Sequence, residues 1–168
     1  MKHVSTAEAV AILEEGDAEI SMLLAVVEEP DFVRRGSIGG GEWSAKDLLA
    51  HITFWERNAL EAIEDWRAGK QWRHHDELRE DGDEDVMNEA ATEAAKDLDP
   101  DAVRSAAGAA HSKLLNELSE MSDEEWETPA GDRTRGSELG AILGGPDGHF
   151  RHAWAHLGDL REYVESLD

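Results

Sequence analysis

The stretch from Glu42 to Trp66 constrains the fold more than any other part of the chain. Ser44 and Asp47 are spaced as a capping box, in which each side chain serves the other residue's backbone N–H. Trp43 just before the cap and Leu48 after it form a hydrophobic staple that fixes how the chain enters the helix. Leu48, Ile52, Trp55, Ala59, Ile63 and Trp66 then recur at steps of three or four, which makes one apolar stripe. The helix stops near Ala68-Gly69-Lys70, where a glycine suits a left-handed cap. His51 falls about 60° from the middle of the stripe, at roughly 100° per residue. An imidazole there is half inside a core, where a polar ring requires a partner.

Other segments read as helices too. Ser5 with Glu8 is a second capping box, opening a helix with Val10, Leu13, Ile20, Leu23, Leu24 and Val27 on its face. Gly16 weakens its middle by about 1 kcal/mol relative to alanine, and Pro30 is its expected end. The link from Gly36 to Gly41 lacks the Lys-Ser/Thr of a phosphate loop, and no strand pattern precedes it. A shorter helix is expected over Val86 to Lys96, with Met87, Ala90 and Ala94 facing inward. Asp99-Pro100 is a strong helix start, and Val103, Ala107, Ala110, Leu114, Leu118 and Met121 share one face beyond it. Ser122 to Trp126 gives a short turn of helix, and Ser137 caps another. Pro146-Asp147 opens the last long helix, whose interior face reads His149, His152, Ala153, His156, Leu160, Tyr163 and Leu167.

No period-two strand and no internal repeat appears. The chain is therefore expected to be all-α, one domain over residues 1–168: a four-helix bundle with short extra helices. The connection from the second to the third long helix exceeds thirty residues, which favours a long crossover connection over a series of simple hairpins.

Several functional classes are excluded or disfavoured. A formal charge of −23 repels phosphates, which argues against nucleic acid and anionic membrane surfaces as partners. No run of 18 or more apolar residues spans a bilayer, and the N-terminus lacks the apolar core of a secretory signal, so a cytoplasmic protein is expected. With no cysteine there is no disulfide, thiolate ligand or Cys nucleophile, so a metal site must be built from His, Asp or Glu.

His152-Ala-Trp-Ala-His156 stacks two imidazoles one turn apart on one helix face. That spacing lets two nitrogens converge on one divalent ion, and a third ligand from a facing helix would leave open positions for chemistry. His51 is the natural third. The expected site holds zinc, nickel, iron or another first-row ion, since neutral imidazole suits all of them. The competing reading leaves His152 and His156 in a bundle groove with nothing bound. His149, on the same face, is a substitute ligand, a supporting group or a helix-start cap; His111 is a core-edge histidine with a backbone partner. His74 and His75 are read as solvated. Trp43, Trp55 and Trp66 read as core, whereas Trp154 points away from the histidines and suits a dimer contact.

Gly-Glu-Trp-Ser-Ala-Lys-Asp-Leu-Leu-Ala-His-Ile-Thr-Phe-Trp-Glu (residues 41–56) resembles the second-helix motif of the DinB-like four-helix-bundle superfamily, and His152-x-x-x-His156 resembles its paired histidines on the last helix. Arg67-Ala-Gly69, Met87-Asn88-Glu and Ala110-His111-Ser look like the ClbS/DfsB branch, associated with colibactin self-protection. The resemblance implies a bundle with the family's three histidines at His51, His152 and His156, and often a homodimer. It also implies either a thiol-dependent transferase or isomerase using a low-molecular-weight thiol such as bacillithiol or mycothiol, or hydrolytic opening of a reactive ring. The expected substrate is a small electrophilic molecule, met in detoxification or self-protection. A bundle that sequesters a small ligand without turnover is the alternative.

Overall fold

The computed structural model describes residues 3–38, 42–70, 83–128, 138–143 and 149–167. Eight α-helices lie among them: α1 (Thr6–Leu24), α2 (Glu29–Phe32), α3 (Ala45–Arg67), α4 (Asp83–Ala95), α5 (Pro100–Glu120), α6 (Asp123–Glu127), α7 (Leu139–Leu143) and α8 (His152–Glu165). A 3-10 turn over His149–Arg151 leads into α8. The described residues contain no strand beyond an isolated bridge between Ile38 and Trp43. The fold is the expected all-α bundle, with α1, α3, α5 and α8 as its long helices.

Side-chain pairs fix the helix directions. Glu56 meets His111, Glu64 meets Lys113 and Arg67 meets Glu117, so α3 and α5 run parallel. Trp154 meets Ile12 and Arg161 meets Glu19, so α1 and α8 run parallel as well. Asp17 with His111 and Thr6 with Asp123 set α1 antiparallel to α5. Parallel neighbours cannot be joined by a tight turn, and residues 68–99 supply the crossover. Within it α4 runs back along α3: Trp55 Nε1 donates to Asn88 Oδ1, and the Lys46 ammonium donates to the carbonyls of Lys96 and Leu98 just beyond α4. A cation at that end also complements the helix dipole.

Helix α3 is the central element. Both halves of its expected capping box form, with Ser44 Oγ accepting from the Asp47 N–H and Asp47 accepting from the Ser44 N–H. At the other end Lys70 N–H reaches Asp65 O and Gly69 N–H reaches Trp66 O, with Gly69 at φ +67°, which is a Schellman cap. Sixteen of its twenty-three residues are buried, including Lys46, Asp47, Thr53, Glu56, Asn58 and Asp65. A single stripe does not describe it; α3 is covered on most of its circumference. Two apolar clusters flank its halves. Leu13, Ile63, Leu114, Leu118, Trp126 and Phe150 form one; Ile20, Phe32, Leu48, Ile52, Leu157 and Leu160 form the other.

Four expectations are corrected. Helix α1 ends at Leu24, and Pro30 lies in the first turn of α2, where its missing N–H is harmless. On α4, Ala91, Thr92 and Ala95 are buried while Ala90 and Ala94 are exposed. Alanines at both registers make the pattern degenerate; the Asn88 bond to Trp55 selects the 88/91/92/95 face. Residues His149–Arg151, expected within the last α-helix, form a 3-10 turn, and the α-helix follows from His152. The expected starts at Ser137 and Pro146, and the pair His74-His75, lie outside the described residues. Finally, His111 is held by carboxylates and not by backbone: its Nδ1 lies 3.0 Å from Glu56 and its Nε2 3.7 Å from Asp17.

Gly16 has a packing role that its helix propensity does not reveal. A Cβ there would stand 2.9 Å from Trp154 Nε1 and 3.2 Å from Ala153 Cβ. The indole is anchored, since its N–H donates to Ile12 O at 2.9 Å. Gly16→Ala therefore sets a propensity gain of about 1 kcal/mol against an overpacking penalty of about 1–3 kcal/mol. The expected result is net destabilisation in urea melts, reversed to stabilisation when Trp154 is also replaced by Ala. A more stable single variant would show that α8 does not press on α1 at this point.

The His111 pair yields a pH prediction. Burial depresses His111, but hydrogen bonding and charge from Glu56, with Asp17 and Glu14, outweigh it and leave its pKa raised. A histidine bound more tightly to its proton in the folded state adds stability below its ordinary value of about 6.5, and that contribution fades as pH rises through the folded value. The stability difference between the wild type and His111→Gln is expected to be largest near pH 6 and to shrink by pH 9. The slope is at most about 1.4 kcal/mol per pH unit. A difference that grows with pH would reverse the assignment.

Candidate metal centre

Local sequence delivers His51 into the bundle. The bridge between Ile38 and Trp43 and the Ser44–Asp47 cap fix the start of α3, and His51 follows on the second turn, 1% exposed. This is deeper than the half-buried position its place on the stripe implies, because α8 closes over it. Helix α8 presents His152 and His156 one turn apart.

The structure brings the three expected residues together. Nε2 of His51 lies 2.5 Å from Nε2 of His152 and 3.1 Å from that of His156; the remaining separation, between His152 and His156, is 3.2 Å. Among the described residues, no other group of three or more His, Asp or Glu side chains converges in this way. The rings are walled by indoles. Trp43 lies 4.7 Å from His51 and 6.2 Å from His156, centroid to centroid. Trp55 lies 5.3 Å from His152 and 5.2 Å from His149.

The electrostatics keep the cluster neutral. Burial, followed by the charge of His156, lowers His51 to about 3. Burial and the neighbouring histidines lower His152 to about 2. His156 is lowered as well, again by burial, with Asp159 opposing. The Nε2 atoms of three neutral imidazoles face one another without a carboxylate among them, and His51 Nδ1 is buried with no hydrogen-bond partner. Neutral imidazoles that resist protons yet point their nitrogens at one spot are the donor set of a divalent ion. Nitrogens held by one ion at about 2.0–2.1 Å stand about 3 Å apart, and two of the three separations meet that spacing. The residues fit a first-row metal, and the imidazole set does not choose among zinc, nickel and iron.

His149 is not part of the convergence. It is buried in the 3-10 turn, edge-on to Trp55, and acts on the site only as a neighbour that disfavours charge on His152. Trp43 and Trp55 have a role that their core-like spacing concealed; their positions at 8 residues before and 4 after His51 were the available signal, since both land near its helix face. The Glu56–His111 pair was also missed, because nothing in either helix pattern announces a partner across the bundle. Trp154, expected at a dimer contact, is 41% exposed and bonds to Ile12 within the same chain.

Comparison with known proteins places this geometry. The chain matches the family described as the mycothiol maleylpyruvate isomerase N-terminal domain over residues 13–161. An uncharacterised protein from Escherichia coli UTI89 superposes with a TM-score of 0.73 at 13% identity, over 97% of this chain and 94% of that one. The mycothiol-dependent maleylpyruvate isomerase superposes with a TM-score of 0.69 at 17% identity, over 95% of this chain, which spans 63% of the isomerase. A protein from Streptococcus pneumoniae gives 0.67 at 15% identity, over 99% of this chain and 92% of that one. These likenesses carry the fold. No curated protein matches in sequence.

Proposed function

Because the chain belongs to the mycothiol maleylpyruvate isomerase N-terminal domain family, we propose that it is a metal-binding bundle enzyme that joins a low-molecular-weight thiol to a small electrophilic molecule. His51, His152 and His156 hold the divalent ion. The observation that carries the reading is the approach of their three Nε2 atoms to within 2.5–3.2 Å of one another. A thiol-dependent solved structure of the same fold supports it.

The bound ion supplies positive charge that acidifies a thiol or water presented to it. The protein's own residues do the rest. Burial keeps the three imidazoles unprotonated at neutral pH, so their lone pairs remain available. Trp43 and Trp55 wall the rings and limit water, which strengthens electrostatic interactions there. The chain has no cysteine, so a reacting thiolate comes from a separate molecule. Hydrolytic opening of a reactive molecule, the self-protection chemistry of the ClbS/DfsB branch, is a separate second reading at the same site, distinguished by activity that persists without thiol. The proposed assembly is a homodimer in the cytoplasm.

Metal analysis of protein purified without a histidine tag tests the site. The wild type is expected to retain about one divalent ion per chain, and the His152→Ala/His156→Ala variant to lose it. Equal, near-zero metal in both removes the metal reading. Incubation with a panel of electrophiles, with and without mycothiol or bacillithiol, tests the chemistry. Thiol-dependent consumption is expected; recovery of every compound unchanged after denaturation points instead to sequestration in the aromatic-walled cleft.

A further inference from the structure

Helix α4 reaches the histidine cluster indirectly, through Trp55 of α3, which bonds to Asn88. Trp55, 6% exposed, is wedged between α4 and α8. Its Nε1–H donates to Asn88 Oδ1 at 3.1 Å, while its ring lies on His152 with an interplanar angle of 34° and meets His149 at 65°. The second torsion of a tryptophan is broad and roughly two-fold, so packing alone leaves the indole alternatives. A buried indole N–H without an acceptor is strongly disfavoured, and the side-chain carbonyl of Asn88 therefore selects the orientation that lays the ring against His152.

Asn88 is itself held in place. It shares the inward face of α4 with Ala91, Thr92 and Ala95, and the far end of the helix is tied to α3 by Lys46, whose ammonium donates to the carbonyls of Lys96 and Leu98. Lys46 and Trp55 flank His51 on the same helix. The crossover helix thus grips α3 on both sides of the cluster, once through a charged cap and once through the wall of the site.

We infer that Asn88 is a positioning residue for the histidine centre: by fixing the Trp55 indole it sets the orientation of His152, and it couples α4 to the site. The assignment rests on the metal reading above only for the second of its two measurements.

The first measurement uses metal-free protein. The imidazole carbon-bound protons of His152 and His149 sit in the ring current of Trp55, so their NMR positions report the indole orientation. Asn88→Leu removes the acceptor and is expected to move the His152 and His149 resonances while leaving those of His111 in place. Asn88→Asp keeps an acceptor oxygen and is expected to preserve the wild-type positions. If leucine overfills the α3–α4 contact and the variant does not fold, Asn88→Ala removes the same acceptor without added bulk. Unchanged His152 resonances in a folded Asn88→Leu or Asn88→Ala protein overturn the inference, as does an equal movement of His111, which would mark a general repacking.

The second measurement titrates Co2+ and reads its visible absorption. Loss of the Asn88 acceptor is expected to weaken Co2+ binding by about tenfold, the scale for groups that orient metal-ligating histidines, and Asn88→Asp to restore it. Co2+ affinity and spectrum unchanged in Asn88→Leu count against the inference. A wild type that takes up no Co2+ overturns the metal reading instead, and the resonance shifts then decide the positioning role alone.

Discussion

The burial of His51 is the constraint around which the bundle is assembled. A ring that is 1% exposed and has no carboxylate partner among the described residues has to be kept neutral, and its hydrogen-bonding contacts there are with two other imidazoles. That arrangement requires α8 to cross α3 at its second turn, with two histidines in register. It also requires walls that exclude water, supplied by Trp43 at the start of the helix and Trp55 one turn beyond. The capping box, the Ile38–Trp43 bridge and the crossover all act on the same few residues.

The crossover follows from the same demand. With α3 and α5 parallel, the chain must travel the length of α3 a second time, and α4 is that return path. Its face is short of large apolar residues, so its attachment relies on a buried ammonium at one end and an indole hydrogen bond near the other. Such contacts are directional. They fix the register of a helix whose alanines fit several, and they explain why Lys46 occupies an inward position on α3 where a single-stripe helix would carry leucine or valine.

Much of this was legible in the sequence. The two long-helix capping boxes, the Asp99-Pro100 start, the Gly69 cap and the apolar faces of α3 and α5 arise from local chemistry, and local chemistry can be read residue by residue. The convergence of His51 with His152 and His156 was legible as far as spacing goes, since i, i+4 places two rings together and the stripe turns the third inward. What escaped was whatever depended on a partner distant in sequence. The register of α4 was ambiguous because Ala90, Ala91, Ala94 and Ala95 satisfy more than one stripe. Gly16 reads as a weak point until Trp154 is placed on it, and His111 reads as a core-edge ring until Glu56 arrives from α3. The entry to α8 is a further case: the residues just before it, around Phe150, pack into the cluster of Trp126 and Ile63 as a 3-10 turn.

His111 and His51 show how one scaffold can shift two histidines in opposite directions. His51 is buried and His111 is half-buried, and burial pushes both down. His111 has Glu56 at 3.0 Å and Asp17 at 3.7 Å, and these outweigh desolvation. Among the described residues His51 has indoles and imidazoles for neighbours and no carboxylate partner, and desolvation wins, to about 3. The formal charge of −23 does not rescue it, because exposed charges farther away than about 8 Å are screened at physiological salt. The same acidic surface still favours the approach of cations over anions. Under the metal reading proposed above, a cluster that refuses a proton on nitrogen would discriminate between the two cations that compete for an imidazole lone pair. The discrimination comes from what is missing around the rings: placing one carboxylate beside His51, as Glu56 is placed beside His111, would raise its proton affinity and turn a ligand set into an ion pair.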